Sequence, residues 1–372
     1  MALHRKAVNP EARPIKGRGA ASYAKGRFDK THAEAEDDGW DCLVEATLDV
    51  DGAPCPPRPD TRVREERARR IISRNDSPDV GFSQSVNPYR GCEHGCVYCF
   101  ARPSHAYLDL SPGLDFETRL SAKTNAAECL RAELAKPSYR CAPVALGINT
   151  DAYQPVERSL RITRSLLEVF AECRHPVSVV TKGALVTRDL DLLAPMASQG
   201  LATVYFSITT LDNRLAARME PRATAPRGKL RAMRALADAG VPVGVMVAPV
   251  IPAISDCELE AILEAAHAHG ARAAGYVLLR LPHELKDLWA EWLRLHYPER
   301  AAHVTSLLRQ MRGGKDYDSA FGKRMRGEGP FADLIAARFA RAHRRLGYGR
   351  LPALDCTRFV APRQASPQGN LF

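Results

Sequence analysis

Residues 177–208 read VSVVTKGALVTRDLDLLAPMASQGLATVYFSI. An apolar run of β-branched residues, Val177–Val180, predicts a buried strand. The segment Asp189–Gln199 then carries helical periodicity and stops at Gly200, and Ala202–Ile208 is again a continuous apolar run. A strand buried on both faces reads as an unbroken apolar run, and two such strands joined by a helix make a parallel crossover unit. The pattern extends in both directions. Further strands are expected near Ser85–Asn87 and at Val144–Ile148, Val243–Val247 and Tyr276–Leu279. A helix is expected over Arg158–Cys173, where Ile162, Leu166, Val169, Phe170 and Cys173 share one face. A second, Arg227–Ala239, ends at Gly240, and a third opens on a capping box of Ser255 and Glu258. Six parallel strands with helices between them predict an α/β fold. They are too few for an eight-stranded barrel and compatible with an open, partial one, with a doubly wound sheet as the alternative.

The flanks read differently. Residues 1–83 are rich in Pro, Gly and Arg and form a mostly irregular basic extension that wraps on the body, with a short basic helix expected at Val63–Ser73. After the strand–helix region, 84–282, a helical C-terminal region spans 283–350, with helices at Glu284–Leu295, Ala301–Met311 and Phe331–Leu346; an extended tail occupies 351–372. The 372 residues carry a net charge of +10, of which +6 lies in residues 1–30 and +5 in 332–372, leaving the body near −1. Basic ends on a near-neutral body suit a polyanionic partner, nucleic acid above all, with a merely solvated terminus as the plain alternative. The longest apolar run, Val241–Ile254, is short and interrupted by three prolines, so no membrane span is expected. With no apolar stretch at the basic N-terminus, a cytoplasmic protein is the expectation.

Seven of the ten cysteines (Cys42, Cys55, Cys129, Cys141, Cys173, Cys257, Cys356) are scattered, and these read as small apolar side chains, buried or inert. Cys92, Cys96 and Cys99 fall within eight residues as C-x3-C-x2-C. A structural zinc site would need a fourth ligand, His94 or His105. A nucleophile would need one thiolate, not three. A [4Fe–4S] cluster held by three thiolates leaves one iron open for a substrate or cofactor, and this reading accounts best for the spacing.

With Tyr98 ahead of the last cysteine, the motif resembles the signature of the radical S-adenosylmethionine (SAM) superfamily. The surrounding Asn87-Pro88-Tyr89-Arg90-Gly91 and Phe100-Ala101-Arg102-Pro103 are similar to a narrower bacterial group. These are the proteins related to spore photoproduct lyase and labelled DNA repair photolyase-like. The resemblance continues through Gly147-Ile148-Asn149-Thr150-Asp151, Val180-Thr181-Lys182, Ser207-Ile208-Thr209, Ala248-Pro249-Val250-Ile251 and Leu278-Leu279-Arg280. It implies a partial (β/α)6 barrel whose cluster loop follows the first strand, a one-electron donor, and an enzyme that cleaves SAM to a 5′-deoxyadenosyl radical. It also implies SAM contacts: Asn149 and Asp151 at the amino group, Lys182 at the carboxylate, Ser207 at carboxylate or ribose, and Tyr98, Val250 and Ile251 at adenine. The substrate class it favours is nucleic acid. Modification of a protein or small metabolite, or a metal-binding module that never cleaves SAM, are the alternatives. One departure stands out. Spore photoproduct lyase carries a hydrogen-donating cysteine after its second strand, where this chain reads Ile148-Asn149-Thr150-Asp151.

Two further segments carry expectations. The loop Arg312–Pro330 mixes bases with Tyr317 and Phe321, so Lys323, Arg324 and Arg326 are candidate nucleic-acid contacts, against a plain barrel-closing loop. The tail Gln368-Gly369-Asn370-Leu371-Phe372 resembles peptides that bind the bacterial DNA sliding clamp, through Gln368, Leu371 and Phe372.

Overall fold

The computed structural model describes residues 13–29 and 59–362, together with the backbone of two short strands between them. Those two, β1 (Thr47–Leu48) and β2 (Pro54–Cys55), pair antiparallel. The clamp-like tail residues Gln368, Leu371 and Phe372 lie outside the described residues, as do Cys42 and the side chain of Cys55. Next come β3 (Arg62–Glu66) and β4 (Ile72–Arg74). The basic helix expected at Val63–Ser73 is therefore corrected to two strands: β3 pairs in parallel with β7 (Arg119–Lys123), and β4 antiparallel with β5 (Gln84–Val86). Pairing with partner strands overrides local propensity at both. The small sheet is completed by β6 (Tyr89–Arg90), antiparallel to β7.

Six strands run parallel in chain order: β5, β8 (Val144–Leu146), β9 (Val177–Thr181), β10 (Ala202–Ser207), β11 (Val243–Val250) and β12 (Ala273–Leu278), with β4 added at one edge. Sequential order of parallel strands joined by helices is the wind of a (β/α)n barrel, and six make an open one. The helices of the wind are α2 (Ala126–Leu134), α3 (Glu157–Leu160), α4 (Ile162–Glu172), α5 (Leu190–Ser198), α6 (Asn213–Met219), α7 (Pro226–Asp238) and α8 (Leu259–Ala268); the short α1 (Leu114–Thr118) precedes β7.

Two local expectations need correction. The helix over Arg158–Cys173 is two helices, because Arg161 adopts a left-handed φ of 51°. The Ser255/Glu258 capping box does not form. The Glu258 carboxylate instead accepts from Thr210 Oγ1 (2.5 Å) and Leu211 N (2.6 Å), and Ser255 Oγ accepts from Ile251 N (3.2 Å).

The two faces of the sheet differ. In β9, Val177, Val179 and Thr181 are buried while Ser178 and Val180 are half-exposed. Register places Val180 beside Tyr205 and Gly244, and Ser207 beside Met246 and Gly275. Tyr205, Met246 and Gly275 are half-exposed too, so one face carries the helices and the other lines an accessible concave surface.

The C-terminal region consists of α9 (Leu285–His296), α10 (Pro298–Gln310) and α11 (Pro330–Arg345). Between α10 and α11 the loop 312–329 shields the free edge of β12: Leu278 N donates to Met325 O (2.9 Å), Gly322 N to Asp79 Oδ1 (2.7 Å), and Arg324 pairs with Asp79 (2.5 Å). Residues 351–362, the described part of the extended tail, pack across the amino ends of the strands. Asp355 N donates to Gly200 O (2.9 Å), Val360 N to Cys173 O (2.9 Å), and Phe359 meets His175 and Tyr139 edge-on. Among the described residues no helix is long and apolar enough to cross a membrane.

Candidate functional site

The three clustered cysteines sit on the loop after β5 and β6, at the carboxyl end of the first parallel strand. Cys92 and Cys96 are buried, Cys99 is half-buried, and none is in a disulfide. Burial pushes the Cys92 thiol well up, and the nearby Asp151 carboxylate and the Cys96 and Cys99 thiols push the same way. The main chain at Asp151 pulls the Cys92 thiol down, and the main chain at Ala101 and Arg102 does the same to the Cys99 thiol. Donors aimed at sulfur stabilise thiolate, the form that binds iron. Among the described residues no group of three His, Cys, Asp or Glu is placed to hold a single metal ion. A polynuclear cluster binds each thiolate to a different iron, so its sulfurs stand further apart. The donor set fits an iron–sulfur cluster.

The loop around these cysteines is held by residues that no local pattern singles out. Arg102, fully buried, donates to Cys96 O (2.8 Å), Gly95 O (3.1 Å), Pro112 O (3.1 Å) and Gly113 O (2.9 Å), and pairs with buried Glu117. Glu117 in turn accepts from Gly19 N (2.9 Å) and Ala20 N (2.8 Å), so the strap 13–29 closes over the loop. Gly95, at φ 67°, brings its carbonyl against Gly19, where a Cβ would stand 1.8 Å away; both positions require glycine. Gln154 clamps the loop from the other side, accepting from Glu93 N (2.8 Å) and donating to Gly91 O (3.2 Å). The only sequence signals were Arg102 directly after the motif and the Gly-Arg-Gly-Ala run at 17–20.

Beside Cys96 lies a buried charged network. Tyr98 donates to Glu220 and shares a hydrogen bond with Thr209 (3.0 Å). Lys229 Nζ is 2.5 Å from Glu220 Oε2, and Lys182 Nζ is 3.9 Å from its other oxygen and 2.5 Å from Ser207 Oγ. Burial would raise the Glu220 carboxyl, but Lys229 and Lys182 hold it down to about 2. Burial would lower Lys182, yet Glu220 and the nearby Cys96, Asp151 and Cys99 keep its ammonium raised and charged. The structure thus brings Tyr98, Lys182, Ser207 and the cysteines together, with Lys182 and Ser207 on the concave face.

Other expected contacts are placed differently. Asp151 spends its carboxylate within the protein: Oδ1 accepts from Tyr153 N (2.8 Å) and Thr181 Oγ1 (2.7 Å), Oδ2 from Lys182 N (2.7 Å), and His94 Nδ1 stands 3.3 Å away. Burial pushes it up, but His94 and these donors hold it down to about 2. It locks the end of β8 to the end of β9, while Asn149, two residues back, is half-exposed. Tyr98 is buried with its hydroxyl engaged. Val250 and Ile251 are buried core rather than accessible wall; Met246 and Ala248, also from β11, are half-exposed instead. Of the loop bases, Arg324 is bound to Asp79 and Ser77, Arg326 lies over the Tyr276 ring (4.1 Å), and exposed Lys323 pairs with Glu328 (2.7 Å). The loop therefore closes the barrel edge. Cys141 precedes β8, beside Cys356 at the amino-end face, so it stands at the opposite end from the cluster loop.

Known proteins agree with this geometry. The family model described as the radical SAM superfamily matches residues 86–266. An uncharacterized protein of Mycobacterium tuberculosis is 39% identical over 231 residues, covering 62% of this chain and 68% of the relative. One of Methanocaldococcus jannaschii is 26% identical over 192 residues, 52% of this chain and 69% of that protein. Among solved structures, spore photoproduct lyase complexed with dinucleoside spore photoproduct superposes with a TM-score of 0.54 at 17% identity, covering 77% of this chain and 80% of that one. A double mutant of the same enzyme with bound AdoMet and the dinucleoside gives 0.54 at 16% identity, with the same coverage. A six-stranded parallel wind, three thiols after its first strand, and a family match that takes in those thiols and the strands β8 to β11 lead to one conclusion: the chain belongs to the radical SAM superfamily and is a radical SAM enzyme.

Proposed function

We propose that Cys92, Cys96 and Cys99 hold a single [4Fe–4S] cluster, that SAM lies over the concave face beside them, and that the substrate is a nucleic acid. When bound, the reduced cluster supplies the electron that breaks the C5′–S bond of SAM, and the resulting 5′-deoxyadenosyl radical takes hydrogen from substrate. An external one-electron donor must deliver that electron. The protein's own part is positioning and shielding. Lys182 presents a charged ammonium for the SAM carboxylate, with Ser207 holding its head group; half-exposed Asn149 suits the amino group, and Met246 and Ala248 offer an apolar wall for adenine. Arg102, Glu117 and the strap keep water from the loop. The observation that carries the reading is three unpaired thiols on one loop, Cys92 and Cys96 buried and Cys99 half-buried, next to Lys182.

Nucleic acid is supported by the positive charge of the chain and by a fold shared with an enzyme whose structure holds a dinucleoside lesion. The loop Ile148–Asp151 holds no thiol, so the reading does not extend to hydrogen return from a cysteine there.

Anaerobic reconstitution tests the cluster and the SAM site. Four irons and four sulfides per chain are expected, with 5′-deoxyadenosine on reduction in the presence of SAM. Cys96→Ala should lose both; full iron retention in that variant would show that the ligand set is wrong.

A further inference from the structure

Resting on the nucleic-acid reading above, we propose that Arg280 is a substrate-binding residue, a phosphodiester contact just beyond the end of β12. Arg280 follows the last parallel strand by two residues and is half-buried. Its guanidinium carbon lies 4.3 Å over the ring of Phe100, the residue directly after Cys99, and the two groups therefore lie against the cluster loop. Burial lowers its pKa. Arg324 pushes the same way, while Tyr317, Cys99 and Asp79 push it up. Asp79, the one carboxylate among these, already accepts from Arg324 and Gly322 N. Among the described residues Arg280 has no salt bridge and no hydrogen bond from its guanidinium, although arginine carries five N–H donors.

A half-buried cation that the fold leaves without a hydrogen-bonded anion, beside the reacting end of the barrel, suits an anion brought by the substrate. Its surroundings select the class. Phe100 is 40% exposed and Phe321 is 59% exposed, and each lies under an arginine, Arg280 and Arg324 respectively. Exposed rings interleaved with guanidinium groups match a strand whose bases stack while its phosphates are neutralised. Arg324 is spent on Asp79 and Ser77. Arg280 is the group left for the phosphate.

The test is an anaerobic fluorescence titration of the reconstituted full-length enzyme with a labelled thymidine decanucleotide over a range of salt. Arg280→Met should weaken binding about ten-fold and flatten the slope of log affinity against log salt by about 0.7, the contribution of one phosphate on a single strand. Arg280→Lys should keep the slope, and so should Lys136→Met, which removes an exposed cation between α2 and β8. Arg280→Gln serves as the second neutral variant should the methionine form fail to fold. A neutral variant that binds with the wild-type slope overturns the phosphate contact and leaves the nucleic-acid reading standing. Failure of the wild-type enzyme to bind the decanucleotide at any salt overturns that reading, and the Arg280 contact with it.

Discussion

Replacing Gly19 by alanine tests whether the strap over the cluster loop is built as described. The new Cβ would stand 1.8 Å from Gly95 O and 3.2 Å from Val97 N, both main-chain atoms of the loop. Neither can yield easily, because Arg102 holds Gly95 O and Cys96 O from behind. The strap must lift, and with it go the bonds from Gly19 N and Ala20 N to the Glu117 carboxylate. A hydrogen bond to a charged group contributes about 1.5–3 kcal/mol. Two at the lower end give about 3 kcal/mol, against roughly 0.5 kcal/mol gained by restricting the unfolded chain. Opening of the strap should therefore become on the order of 100-fold more frequent. Amide hydrogen exchange, followed by mass spectrometry on a peptide covering residues 13–29, reads this directly, since local opening need not move global unfolding. The reconstituted variant should also bleach faster in air. Exchange within three-fold of wild type would refute the reasoning, because a main-chain overlap of this size has no smaller remedy.

Other predictions follow from the same contacts. Arg102→Met leaves buried Glu117 without its cation and removes a donor from four carbonyls; it should cost about 3–5 kcal/mol in denaturant unfolding and lower the iron bound on reconstitution. Glu220→Gln removes the counter-charge of Lys182 and Lys229 and should cost about 3 kcal/mol; a loss under 1 kcal/mol would show the lysines are compensated elsewhere. His175 is buried among Phe170, Phe359 and Tyr139, and burial lowers its pKa to about 4. Its neutral form is the folded one, so stability is full above about 6.5 and falls as pH drops towards 4, by about 3 kcal/mol over the window. Unfolding measured at pH 7 and pH 5 should show about 2 kcal/mol of this loss, and His175→Leu should shrink it.

The barrel was legible in the sequence because a strand buried on one face by helices and lined by small or apolar residues on the other reads as an unbroken run. Val177–Val180 and Ala202–Ile208 announce themselves that way, and the stops at Gly200 and Gly240 are local backbone facts. Cys92, Cys96 and Cys99 were equally plain, since all three fall on one loop. Segments whose structure depends on a partner elsewhere in the chain were not. Val63–Ser73 has a helical composition and becomes two strands only because β7 and β5 are there to pair with them. Glu258 looks like a cap until Thr210 and Leu211 claim it. Asp151 has the position of a ligand contact, yet the end of β9 and His94 use up its oxygens. Glu117 bonds the strap nearly a hundred residues before it, and Tyr98 meets Glu220 across 122 residues. Local periodicity depends on which side of an element is buried, and that is written residue by residue. Which carboxylate a buried cation or amide finds depends on how the elements dock, and only the tertiary structure decides it.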